Sequence, residues 1–110
     1  MIELTLLAYL KGNLSCPVYM EIPSAPPKEF VILEKTGSSV ENHINRATFA
    51  IQSYSDSLYN AALLNEEVKA LMDLLPDLED VSKSDLNSDY NFPDTTNKRY
   101  RYQAVYDLVY

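Results

Sequence analysis

Apolar residues recur at Ile2, Leu6, Tyr9, Leu10 and Leu14, the three-and-four spacing that lines one side of a helix, and Gly12 and Asn13 help to end it. Pro17 follows as a stop. The period then changes to two: Val18, Met20 and Ile22 alternate with Tyr19 and Glu21, predicting a short strand. Pro23-Ser24-Ala25-Pro26-Pro27 is a rigid connection without helix or strand potential. Glu29 to Lys35, rich in Val, Ile and Phe, predicts a second strand. Arg46 to Tyr54 predicts a third, with Ala47, Phe49 and Ile51 on one face. Between them Thr36 to Asn45 is polar and holds one of two glycines, Gly37, so these strands are expected to form a hairpin with a long, exposed loop at its tip.

The longest periodic stretch, about Ser57 to Leu75, predicts a helix with Ser55 or Asp56 as N-cap. Its apolar face is Ala61, Leu64, Val68, Leu71 and Leu75, and Pro76 closes it. An acidic linker, Asp77 to Lys83, leads into a half-buried strand in which Leu86, Ser88, Tyr90 and Phe92 alternate with Asp85, Asn87, Asp89 and Asn91. A turn at Pro93 to Asn97 joins it to a final strand, Lys98 to Tyr110. One face of that strand carries Tyr100, Tyr102, Ala104, Tyr106, Leu108 and Tyr110; the other carries Arg99, Arg101, Gln103, Val105, Asp107 and Val109. The order α-β-β-β-α-β-β, with helices interrupting runs of hairpin strands, predicts an α+β fold. Its sheet is mainly antiparallel, with both helices packed on one face.

At 110 residues the chain holds one core, a single domain over residues 1–110. A 46% hydrophobic content without low-complexity segments argues for a globule rather than disorder. No apolar run approaches the roughly 18 residues that span a bilayer, and Met1-Ile2-Glu3-Leu4 has neither the basic start nor the cleavage site of a secretory signal. The single cysteine, Cys16, excludes an internal disulfide and fits a reducing compartment. A soluble intracellular domain without a membrane partner is expected.

Charge narrows the partners. The net charge of −7, from 16 acidic and 9 basic residues, repels a phosphate backbone and argues against tight nucleic-acid binding. The one basic cluster, Lys98, Arg99 and Arg101, is interleaved with Tyr100 and Tyr102, a pattern that serves single-strand stacking in some proteins. With no second basic stripe, a strand with one buried tyrosine face and one solvated basic face is the better reading.

Candidate chemistry is sparse. His43 and Cys16 are the lone residues of their kinds, and nothing near His43 would orient it as a general base. Two such residues cannot supply the four ligands of structural zinc. Asp85, Asn87 and Asp89 alternate as in a calcium loop but lack its glycine and closing glutamate. Gly37-Ser38-Ser39 lacks the second glycine, the lysine and the helix of a phosphate-binding loop. Glu66 and Glu67, adjacent on a helix, point apart and form no acid–base pair. No enzyme, cofactor or metal site is expected.

Several stretches resemble the small tail-terminator, or head-tail joining, proteins of long-tailed bacteriophages and prophages with non-contractile tails. They are Leu7-Ala8-Tyr9-Leu10, Pro17 to Pro23, Phe30 to Ser38, Arg46 to Tyr54, Ala61 to Lys69 and Arg99 to Tyr106. The resemblance covers nearly the whole chain, rests on no single motif, and departs in length, this chain being short for the family. It implies a ring, typically a hexamer, that caps the tail tube, stops its polymerisation and docks onto the filled head. Its partners would be other copies of itself, the tail tube protein and a head-completion or connector protein, at the head–tail junction of the virion after assembly in the host cytoplasm. DNA would pass through the lumen without being read. Candidate interface residues are the hairpin-tip group Gly37, Ser38, Ser39, Glu41, Asn42 and His43, and the final-strand group Arg99, Tyr100, Arg101 and Tyr102. Two alternatives stay open: a neighbouring head-completion or minor tail protein, and a small-ligand module that uses the tyrosine face as a pocket wall.

Overall fold

A computed structural model describes residues 1–77 and 81–110. Part of the acidic linker expected at Asp77 to Lys83, residues 78–80, therefore lies outside the described residues. The elements are α1 (Ile2–Asn13), β1 (Val18–Tyr19), β2 (Phe30–Glu41), β3 (Ile44–Ser55), α2 (Leu58–Leu74), a 3₁₀ turn (Leu75–Asp77), β4 (Lys83–Asn91) and β5 (Tyr100–Val109). The fold is α+β in the expected order. Its sheet runs β1-β2-β3-β5-β4, parallel between β1 and β2 and antiparallel at every other step. No helix of the described residues is long and apolar enough to cross a membrane.

Both helices cover the same face of the sheet. Ile2, Leu6 and Leu10 of α1 and Leu64, Val68 and Met72 of α2 share one buried cluster with Val31 and Leu33 of β2, Phe49 and Ile51 of β3, and Ala104, Tyr106 and Leu108 of β5. These positions alternate along each strand, so the side chains that enter the core come from one face of the three central strands. The Tyr9 hydroxyl donates to the Leu71 carbonyl at 2.6 Å and locks α1 to the last turns of α2. Burial, reinforced by the field of Asp77, pushes that phenol above its usual pKa, so it remains a donor. Glu3 and Lys35 form an ion pair at 2.9 Å that ties the first turn of α1 to β2.

Helix α2 departs from expectation at both ends. Its N-cap is Ser57, whose Oγ accepts the Asn60 amide at 3.1 Å. Ser55, an expected cap, is the last residue of β3, and its hydroxyl donates to Glu29 at 3.1 Å. The buried stripe is Ala61, Leu64, Asn65, Val68 and Met72, continued by Leu75 of the 3₁₀ turn. Leu71, expected in the core, is only half-buried, because a step of four from Val68 brings Met72 to the centre of the stripe.

The first strand is shorter than Val18 to Ile22. Parallel pairing lasts for Val18 opposite Val31 and Tyr19 opposite Ile32, after which the chain leaves the sheet and Met20 and Ile22 are exposed. Two bulges account for the remaining corrections. In β2 the register slips between Lys35 and Gly37, and in β4 between Leu86 and Ser88. Each extra residue exchanges the faces of everything beyond it. In β4, Leu86 therefore lies opposite Tyr106 on the helix side, whereas Tyr90 lies opposite Gln103 on the other. The single Leu86-Ser88-Tyr90-Phe92 face expected from alternation does not form.

Met72→Ala and Leu64→Ala are each expected to lower unfolding free energy by about 2–5 kcal/mol. Leu71→Ala should cost clearly less. Urea titration of the three variants checks the ranking; equal losses would show that the burial order along α2 is wrong.

Candidate functional site

Gly37, Ser38, Ser39, Glu41, Asn42 and His43 all lie on one feature. Thr36 to Asn45, expected as a loop, is instead the distal half of a continuous hairpin, with β2 paired to β3 as far as Glu41 opposite Ile44. The reversal uses two residues, Asn42 (φ 51°) and His43 (φ 65°). Left-handed backbone at both central positions is the form that suits a two-residue hairpin, because its twist matches that of the flanking strands. Asparagine tolerates that conformation well, which is what an Asn at the first position supplies.

The bulge at Thr36 separates this arm from the core. Before it, Val31, Leu33 and Lys35 face the helices; after it, Ser38 and Val40 do, while Gly37, Ser39 and Glu41 take the other side. Every β2 residue from Glu34 to Glu41 is exposed, and among the described residues β2 has no strand on its outer side beyond Ile32. β5 supports β3 from Ser55 back to Arg46, and the Tyr110 amide reaches the Asn45 carbonyl at 3.0 Å. Val40 to Ile44 therefore stand past the body of the sheet. Val40 and Ile44 are large, apolar and exposed there.

Arg99, Tyr100, Arg101 and Tyr102 sit at the opposite end of the strands. β3 runs from the arm to Ser55, which pairs with Tyr100, and its 12 residues span about 40 Å. The structure thus does not bring the two candidate groups together. Nor do Arg99 and Arg101 form one solvated basic face. Arg101 is built into the uncovered face of the sheet: its guanidinium lies 4.2 Å from the Phe92 ring centre, donates to the Tyr54 hydroxyl at 2.9 Å and, through Nε, to the Phe92 carbonyl at 2.6 Å.

That face carries a band of side chains across the sheet. Phe30 stacks on Tyr54 at 4.4 Å, and Tyr19 meets Phe30 edge-on at 6.3 Å. Gln52 donates to Gln103 at 2.8 Å, Gln103 to the Tyr90 hydroxyl at 2.6 Å, and Tyr90 packs against Phe92 at 5.9 Å. The expected tyrosine face is not uniform. Tyr106 is fully buried, with its hydroxyl against Asp73 at 3.2 Å, Tyr102 is half-buried, and Tyr100 is exposed. Burial, with Asp73 alongside, holds the Tyr106 phenol far above its usual pKa.

The connection before β5 is also ordered. Asp94 and Arg99 exchange two backbone hydrogen bonds at 3.0 Å, and the Asp94 carboxylate accepts the Asn97 amide at 3.2 Å and the Asn97 side chain at 3.1 Å. Lys98 turns with a φ of 54°. Burial alone would raise the Asp94 pKa, but the bonds from Asn97 and the fields of Arg101 and Arg99 outweigh it and hold the carboxyl below its usual value.

Cys16 and His43 lie on separate elements. Cys16 follows α1 and packs against the core, with its thiol pushed up to about 11 by burial and then by Glu29; His43 is in the arm turn. Asp89 faces α2, bonded to Lys69 at 2.9 Å and Asn65 at 3.0 Å, whereas Asn87 reaches Asp107 at 3.1 Å. The alternating Asp85-Asn87-Asp89 run therefore points its members at different partners.

No protein-family model matches the chain, and no curated protein matches it as a relative.

Arg101→Glu is expected to destabilise the fold, because it removes the stacked cation and sets a carboxylate against the Phe92 carbonyl that accepts from Arg101. Arg99→Glu should leave stability nearly unchanged. Paired urea titrations would separate them, and equal stabilities would remove Arg101 from the face network. For Asp94, the depressed pKa means that its stabilising contribution is complete above the usual 3.8 and is lost as pH falls through the lower folded value. The stability gap between wild type and Asp94→Asn should accordingly be flat near neutrality and narrow below pH 3.8. A gap that widens on acidification contradicts this assignment.

Proposed function

We propose that the chain is a tail terminator: it assembles into a ring, a hexamer as in the proteins it resembles, that caps the tail tube of a phage or prophage particle and joins it to the filled head. The observation that carries this reading is the hairpin arm. From Val40 to Ile44 the two-stranded arm places no residue in either buried cluster, and its exposed Val40 and Ile44 call for a partner. An arm on one side that meets a different surface of the next copy makes a head-to-tail contact, and such contacts close into rings when the rotation permits.

Three further features support the reading. Both sheet edges are open over part of their length, β2 beyond Ile32 and β4 along its outer side, so backbone pairing between copies is sterically available. Leu4 of α1 and Tyr59, Leu63 and Leu74 of α2 are exposed apolar side chains on the helix layer. The net charge of −7 suits a channel through which DNA slides without being gripped. The tail tube and the head connector take the two ends of the ring, which resides at the head–tail junction of the virion and assembles in the host cytoplasm.

The test shortens the arm without disturbing its turn. Removing Val40, Glu41, Ile44 and Asn45 leaves Ser39 and Arg46, already paired, to flank Asn42-His43, and sacrifices only the Tyr110–Asn45 bond of the body. The shortened chain should keep the wild-type circular dichroism and thermal midpoint yet fail to form the ring expected of the full chain in native mass measurement. A full chain that is monomeric at every concentration, with or without tail tubes, overturns the ring; unimpaired assembly of the shortened chain overturns the role of the arm.

A further inference from the structure

Away from the arm, at the other end of the strands, three cations converge. Lys28, Lys98 and Arg99 line one cleft of about 210 Å³, together with Pro26, Pro27 and Tyr100. Lys98, Arg99 and Tyr100 also line a second hollow of about 330 Å³, walled by Pro93 and Thr95. The three consecutive residues are thus a ridge between two adjoining hollows. None of these cations is in an ion pair: the ion pairs among the described residues engage Lys35 and Lys69. In a chain with 16 acidic and 9 basic residues, three cations outside the ion pairs of the described residues, against the one lining acid Asp56, make this cleft a local excess of positive charge.

We infer that this cleft binds an acidic peptide segment of a partner protein, an extended stretch whose carboxylates flank an apolar side chain. Two properties point to that ligand. The first is shape: two hollows sharing a cationic ridge suit an elongated ligand that crosses it, with a carboxylate beside Arg99 able to accept a bidentate pair of hydrogen bonds. The second is the wall. Pro26, Pro27 and Pro93 are stiff apolar surfaces, and Tyr100, 47% exposed, presents a ring beside them. Such a wall adds contact area for a side chain at little entropic cost.

The cleft is also built rather than incidental. Lys98 holds a left-handed backbone that long side chains seldom adopt, and it does so because Asp94, Asn97 and Arg99 close the turn around it with four hydrogen bonds. Asp56, which also lines the first hollow, and Asp94, which lines the second, leave the three lining cations in excess, and the Glu29 carboxylate accepts from the Ser55 hydroxyl at 3.1 Å. A single nucleic-acid strand fits less well. Stacking platforms need successive exposed rings, and Phe30 and Tyr54, the other aromatics of the cleft, are each 1% exposed.

This inference stands on the cleft alone and holds whether or not the chain forms rings. It is tested by fluorescence anisotropy of the full chain with a dye-labelled peptide of alternating Asp and Glu around a central Phe. The control peptide carries Asn and Gln in place of the acids. Wild type should bind the acidic peptide saturably, more weakly as salt rises, and bind the control far less. Lys98→Asn, which removes the charge while keeping a residue that accepts left-handed backbone, combined with Arg99→Gln, should weaken binding by about tenfold or more. Lys28→Gln, on a separate segment, should weaken it independently of any change in the turn, while Lys11→Gln, on α1, should leave it unchanged. Absence of saturable binding, equal binding of the control peptide, or wild-type affinity in the cleft variants overturns the proposal. Tighter binding of oligothymidylate than of the peptide, lost in the same variants, would overturn it in favour of a nucleic-acid strand.

Discussion

Two helices cover only one face of this five-stranded sheet, and that constraint organises the molecule. The covered face holds the main core, where Leu6, Val68 and Met72 meet Phe49, Ile51 and Tyr106. Among the described residues the other face has no second layer, so its own side chains shield it. Phe30, Tyr54, Arg101 and Phe92 pack side by side across four neighbouring segments, and Gln52, Gln103 and Tyr90 extend the lattice with hydrogen bonds. Without that paving, Ile32 and Ala50, both nearly fully buried on this side, would meet water. Arg101 is therefore a packing residue that happens to be charged. Its stem and planar guanidinium cover apolar surface in the way long cationic side chains commonly do.

The bulges divide the sheet into a part that folds the protein and a part free of that duty. Up to Lys35, β2 contributes a side chain to the core at every second position; past Thr36 it contributes none. Thr36 bonds back to the Thr48 carbonyl at 3.3 Å, and Thr48 in turn donates to Asp107 at 2.7 Å, which also accepts from Asn87 at the other bulge. Both irregularities are thus satisfied locally and joined through one carboxylate of β5. A strand edge carrying bulges and charges resists random pairing while still admitting a shaped partner.

Much of this was readable from periodicity. The element order, both hairpins, the single covered face and the central residues Leu64, Val68, Ala104, Tyr106 and Leu108 follow from spacings of three, four and two. The failures share a physical cause: each needed information beyond the local pattern. Leu71 and Met72 are both apolar and adjacent, so only packing decides which enters the core. Ser55, Asp56 and Ser57 can all cap a helix, and the end of β3 decides among them. Apart from Val40 and Ile44, Thr36 to Asn45 is polar, because an arm without a core contact has no reason to alternate, and such a segment looks like a loop. Lys28 reaches the cleft of Lys98 and Arg99 only through the fold, and Arg101 meets Phe92 only through the β4–β5 register.

The arm and the basic cleft occupy opposite ends of the same strands, which bears on how such a chain can change. Residues Gly37 to His43 sit beyond the last core contact, and Lys98 to Tyr100 sit before the first one on β5. Substitutions at either end leave the buried cluster untouched, so they fall on the part of the molecule whose opening costs least free energy. The arm nevertheless keeps its shape, because its turn backbone suits the twist of its strands and because Arg46 to Thr48 remain anchored to β5. The cleft keeps its shape through the Asp94 turn. Each end therefore takes its shape from local contacts, and recognition at one end can vary without the other end or the core having to compensate.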